Sequence, residues 1–190
     1  MKRSQVSLRS AVPADAADLT LLWADALRRV EPEDQLADVR RILERIEGDD
    51  DEEIVVATYD GTLAGAVHLR ADTLTPLNLE PVVQVISPYV LPEFRRHGVG
   101  RALMECAVSF AEDRRIGHIA TAAATASRDG NRFLARLALA SHAVLRVAPT
   151  HAVRSKLSAQ RLPVGNSGRQ LTKVLAARRS MRRARATSLS

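Results

Sequence analysis

The sequence is short of cysteine, aromatic side chains, lysine and, in its last third, acid. Its one cysteine, Cys106, excludes an internal disulfide and a cysteine-based zinc site. One Trp, two Tyr and three Phe leave too little aromatic surface to stack nucleic-acid bases. No run of about 18 uncharged apolar residues occurs, which excludes a membrane-spanning helix of the usual kind. Residues 1–9 lead into no apolar segment such as a secretory leader requires, so the expectation is a soluble cytoplasmic chain. Against these shortages, 46% of the 190 residues are apolar and 26% charged, enough to bury a core in a domain of ordinary size.

Charge is distributed unevenly. Residues 1–129 hold 15 Lys and Arg against 22 Asp and Glu, a net of −7. Residues 130–190 hold 13 Lys and Arg and no acid, a net of +13. Such asymmetry marks an interaction tail or a face that meets anions. We therefore expect a domain over residues 1–159 and a basic tail over 160–190. The tail fits a solvated end, an arm that contacts nucleic acid through phosphates, or a recruiter of acidic protein. The helical spacing of Leu171, Val174, Leu175 and Arg178 also suits a subunit interface, as in a homodimer.

Periodicity divides the rest. Residues 6–11 alternate as a strand, and Pro13 opens a helix with Leu19, Leu22, Trp23, Ala26 and Leu27 on one stripe. A second helix spans 34–46, followed by the acidic run 49–53, expected as a solvated loop. Residues 54–59 and 63–69 read as strands joined by Asp60-Gly61, the pair that a type I′ turn demands. Residues 82–91 form a further strand, in which Pro88 withholds one ladder donor. A helix over 99–115 follows, then a strand over 118–125 and a helix over 129–140. A final hairpin is expected over 143–147 and 151–157. The class is α+β (an α/β three-layer arrangement): a mixed, largely antiparallel sheet flanked by helices.

Chemistry concentrates between residues 89 and 103. A strand runs out through Tyr89, Val90 and Leu91, the chain turns through Arg95-Arg96-His97-Gly98-Val99-Gly100, and a helix begins with Arg101 and Ala102. A helix start presents unpaired amides and partial positive charge, the arginines add full charges, and glycines let an anion approach the backbone. A linked pair of phosphates suits such a nest. No Gly-Lys-Ser/Thr follows, which excludes a Walker loop, and a dinucleotide fingerprint lacks its third glycine.

These residues resemble the acetyl-CoA motif of the GNAT family of N-acetyltransferases, Gln/Arg-x-x-Gly-x-Gly/Ala, and the order of elements over residues 6–157 fits that fold. The resemblance implies acetyl-CoA as co-substrate and no metal. Tyr89, Val90 and Leu91 would pair with the pantetheine arm. The amides of Arg96, His97, Gly98, Val99, Gly100, Arg101 and Ala102 would hold the pyrophosphate beside Arg95, with Ser127 and Asn131 contributing from the next helix. It also implies direct attack of a primary amine on the thioester. Ser127 stands where the family has Asn, Leu134 where it has the tyrosine that protonates the leaving thiolate, and Ala138-Leu139 where it has Gly-Phe. Leucine donates no proton, which leaves Tyr89 as the tyrosine near the site, while Glu80 and Glu93 are candidate bases by nearness to the same strand; Tyr89 and Glu80 are the catalytic candidates. The alternative is a GNAT-shaped protein that binds acyl-CoA, or nucleic acid through its tail, without turnover. His97 is expected to help cover phosphate, and Cys106 to pack as a small core residue.

Overall fold

A computed structural model describes residues 5–123 and 127–160. The chain divides into two compact units, Met1–Ala140 and Ser141–Ser190, ahead of the boundary expected at 159. The first unit runs β1 (Val6–Ser10), α1 (Ala16–Leu22), α2 (Pro32–Ile46), β2 (Glu52–Tyr59), β3 (Thr62–Thr73), β4 (Pro81–Val90), α3 (Val99–Asp113), β5 (Ile119–Thr121) and α4 (Arg128–Arg136). In the second, Thr150–Gln160 forms α5. This helix replaces the hairpin expected over 143–157. Residues 161–190, which hold most of the basic tail, lie outside the described residues.

One sheet takes its strands in sequence order, β1-β2-β3-β4-β5. The first three pairings are antiparallel and the last, β4 with β5, is parallel. Asp60 and Gly61 both adopt positive φ, 50° and 86°, as the tight β2–β3 turn requires. A parallel partner needs a crossover, and α3 supplies it. Its Leu103, Met104, Ala107, Phe110 and Ala111 are buried at helical spacing against Val55, Val67, Leu69, Val83 and Val85. Cys106 sits half-buried at the margin of that stripe, where burial pushes its thiol up.

The opposite sheet face carries α1 and α2. Pro32 fits the first turn of α2, where its missing N–H costs nothing, and Glu33 and Asp34 complement the helix dipole. Val39, Leu43 and Ile46 of α2 and Leu19, Leu22 and Trp23 of the α1 segment then cover Ile54, Val56 and Ala66. The acidic run is not a solvated loop throughout: β2 begins at Glu52, whose side chain is only 6% exposed. A strand start on a covered face forces this carboxylate inward, and it persists there because cations meet it.

Candidate active site

Two irregularities in β4 create the site. Ser87 takes φ +47°, and the β3–β4 register shifts there, with His68 opposite Ile86 but Ala66 opposite Tyr89. This bulge is held on both sides. Trp23 donates its indole N–H to the Ser87 carbonyl at 2.9 Å, and Gly65 passes so close that a Cβ there would lie 2.4 Å from the Tyr89 carbonyl oxygen. Beyond the bulge β4 loses its other neighbour, because β5 pairs only with Val83, Gln84 and Val85. The Leu91 amide still donates to Ala64 in β3 at 2.9 Å. Alternation therefore turns the polar groups of Val90 toward the open edge. An extended ligand has a strand to pair with there.

The chain then tightens into a single 3₁₀ turn over Pro92–Phe94 and a loop whose Arg96 and Gly98 have φ +65° and +87°. Gly98 is the N-cap of α3, and a Cβ on it would meet nothing within 4 Å; the backbone angle, and not space, favours glycine. At Gly100 a Cβ would make ordinary contacts, 3.6 Å to Val90 Cγ2 and 3.7 Å to Phe133 Cζ, so the protein itself admits alanine there. Helix geometry leaves the amides of Val99, Gly100 and Arg101 without an intrahelical acceptor, and Ala102 is the first to donate, to Gly98 at 2.9 Å. Tyr59 supports the loop from β2, with Phe94 at 5.7 Å and the His97 ring edge-on at 5.1 Å.

The other expected residues fall in different places. Arg95 reaches back, its Nε donating to the Val90 carbonyl at 3.5 Å, and Arg96 and His97 are exposed on the loop. Arg101 turns along α3 to Glu105, 2.7 Å away, and not into the turn. Ser127 caps α4: its Oγ accepts from the Gly130 amide at 3.3 Å, and its carbonyl accepts from Asn131 Nδ2 at 2.7 Å. The same helix carries Phe133 toward Gly100, and Leu134 is half-buried. Tyr89 packs on the α1–α2 face beside Leu63 and Leu91. Glu80 is not brought to the loop. It precedes β4 and pairs with His118 at 3.3 Å, about 30 Å of strand from Val90 at 3.3 Å per residue.

The sequence alone gave no sign of a second group of residues beside the bulge. A cavity of about 180 Å³ lies between the sheet and α1–α2, lined by Trp23, Leu27, Ile42, Ile86, Ser87 and His68 among others. His68 Nε2 lies 2.6 Å from Glu52 Oε1, and the Arg45 guanidinium grips both carboxylate oxygens at 2.5 and 2.6 Å. Arg45 above all, with His68, holds the Glu52 carboxyl down from 4.5 to about 2 against the opposing effect of burial. Burial in turn keeps His68 below its usual 6.5, with Glu52 opposing. The imidazole is thus neutral at pH 7, with its orientation fixed by an ionised carboxylate. Among the described residues no group of three His, Cys, Asp or Glu comes together as a metal site would require, and no helix is long and apolar enough to cross a membrane.

Comparisons with known proteins agree with this architecture. An uncharacterized N-acetyltransferase from Archaeoglobus fulgidus is 27% identical over 111 residues, which are 57% of this chain and 76% of that protein. An aminoglycoside N-acetyltransferase solved in complex with CoA superposes with a TM-score of 0.64 at 19% identity, over 79% of this chain and 99% of that one. A ribosomal-protein-alanine N-acetyltransferase from Brucella melitensis gives 0.59 at 23% identity, over 76% and 99%. At these identities the two structures speak for the fold. Residues 17–138 match the model of the acetyltransferase (GNAT) family. With the sheet opening beyond β5 and the glycine-capped α3 in place, the chain belongs to that family of N-acetyltransferases.

Proposed function

We propose that the chain moves an acetyl group from acetyl-CoA to a primary amine, which attacks the thioester directly. The observation that carries this is the continuity between the open β4 edge and the amides at the start of α3. The pantetheine arm lies along Tyr89, Val90 and Leu91 and meets the Val90 N–H at the open edge, where the Val90 carbonyl already accepts from Arg95 Nε. The pyrophosphate lies on the amides of residues 96–101, the Ala102 amide being taken by the Gly98 carbonyl, with Arg95 and Arg96 adding charge and Ser127 and Asn131 flanking from α4. Arg101 contributes its amide, while its guanidinium stays with Glu105. That the structurally similar aminoglycoside enzyme was solved with CoA bound supports acetyl-CoA as the co-substrate.

Holding amine and thioester in line supplies about 7–11 kcal/mol of the barrier reduction. Tyr89 sits next to the bulge, and its phenol is the group we assign to protonate the departing thiolate, since Leu134 cannot. Isothermal calorimetry tests the binding half. Wild-type protein should bind acetyl-CoA, and Gly98→Val should weaken binding at least tenfold with an unchanged circular dichroism spectrum. A side chain at φ +87° is strained by roughly 1–2 kcal/mol and would crowd the nest. Absence of heat and of thermal shift at millimolar acetyl-CoA would remove the proposal.

A further inference from the structure

The triad Arg45–Glu52–His68 and the cavity beside it lie outside the residues assigned to CoA above, yet a buried carboxylate there is matched by a guanidinium and an imidazole. We propose that this cavity receives the amine-bearing end of an apolar acceptor and that His68 takes the proton its ammonium must lose. The inference rests on the acetyl-transfer reading above and adds to it the acceptor class and the base.

Three observations support it. First, the cavity wall is hydrocarbon apart from His68 and Ser87, and the Ser87 carbonyl is already occupied by Trp23. An apolar cavity of about 150 Å³ takes up a benzene-sized molecule, and this one holds about 180 Å³. Polyhydroxylated amines would leave their hydroxyls unpaired against Trp23, Leu27, Ile42 and Ile86. Secondly, the imidazole is oriented for use. With Nε2 donating to ionised Glu52, Nδ1 carries the lone pair. Arg114 Nε is the single sealed side-chain polar atom without a hydrogen bond among the described residues, so Nδ1 is not sealed away, and the residue that carries it lines the cavity. Thirdly, Ser87 belongs both to the cavity wall and to the bulge from which the open β4 edge departs. An amine seated in the cavity therefore meets a thioester laid along that edge.

The ammonium gives one proton to His68 Nδ1, and the freed nitrogen pair forms the C–N bond to the acetyl carbonyl carbon. The tetrahedral intermediate collapses with cleavage of C–S, the electron pair leaving on sulfur. The Tyr89 phenol protonates the thiolate, the second nitrogen proton restores the phenol, and imidazolium returns its proton to water. The charged groups facing His68 are Glu52 from β2, Arg45 from α2 and Arg70 on its own strand, while α1 and β4 present Trp23 and Ile86.

Initial rates with acetyl-CoA test this, using benzylamine and glucosamine as acceptors. Benzylamine should show at least a tenfold higher kcat/KM. His68→Gln, which keeps a donor for Glu52, should lower kcat about a hundredfold and erase the acid limb of the kcat/KM profile, with acetyl-CoA affinity by calorimetry unchanged. Ile42→Trp should raise the benzylamine KM alone, and Ala26→Leu serves if that variant melts early. If acetyl-CoA binds and amines are acetylated, but His68→Gln keeps its rate and pH profile, or glucosamine is preferred, the inference is wrong while the transfer reading stands. If acetyl-CoA fails to bind, both fall together.

Discussion

Glu52→Gln isolates one charge in an almost isosteric frame. Holding this carboxyl at about 2 instead of 4.5 corresponds to about 3 kcal/mol in favour of the ionised folded state. The folded chain binds the proton more weakly than the unfolded chain does. The contribution is therefore complete above pH 4.5 and disappears as pH falls toward 2. Glutamine cannot supply it. Wild type and variant should differ by about 3 kcal/mol at pH 7, or about 6–12 °C in Tm for a chain of this size, and converge near pH 2. Burial also keeps His68 neutral, and in the variant its imidazolium loses the carboxylate that supports it. The gap should accordingly widen slightly below pH 6.5 before it closes. Urea unfolding followed by circular dichroism at pH 7, 5, 4 and 3 measures both proteins. A gap independent of pH, or one under about 1 kcal/mol at neutrality, would show that the Arg45–Glu52–His68 contacts do not exist in solution as described.

Two further outcomes follow from the bulge. Gly65→Ala puts a methyl 2.4 Å from the Tyr89 carbonyl, so the strands must part; urea titration should show a loss of about 1–3 kcal/mol, and calorimetry a weaker grip on acetyl-CoA. Tyr89→Phe should reduce kcat about a hundredfold if its phenol protonates the thiolate, while acetyl-CoA affinity stays the same because the strand contacts are main-chain. An unchanged kcat would send the search for that acid elsewhere.

Much of the sheet was legible in the amino-acid sequence because its signals are local. Asp60-Gly61 marks the hairpin, Pro13 opens the first helical segment, and Gly98 announces the start of α3. The Glu52–His68 pair was not legible, and the reason is geometric. A two-residue turn sets Tyr59 opposite Thr62, and an unbroken ladder would place Glu52 opposite Leu69. The register instead shifts between Ala57 and Thr58, so that Glu52 lies opposite Arg70 and Ile54 opposite His68. One inserted residue changes which side chains share a face. Nothing in the composition of this hairpin announces the insertion, and a run of five acids conceals the buried one. Glu80 misled for a related reason: nearness to β4 in sequence says nothing about which end of the strand holds the chemistry. In the second unit, the branched residues of 143–157 suggested a hairpin, yet the segment from Thr150 propagates as a helix, as short stretches with mixed propensity allow.

The distortion in β4 has a consequence apart from ligand binding. A sheet that stops pairing midway exposes a bare margin onto which a neighbouring molecule could add a strand, a route to unwanted association. Here that margin is interrupted twice within a few residues: Ser87 bends it out of line, and Pro88 offers no hydrogen to a visitor. The same irregularity that we propose receives the thioester arm thus makes the margin a poor template for another polypeptide.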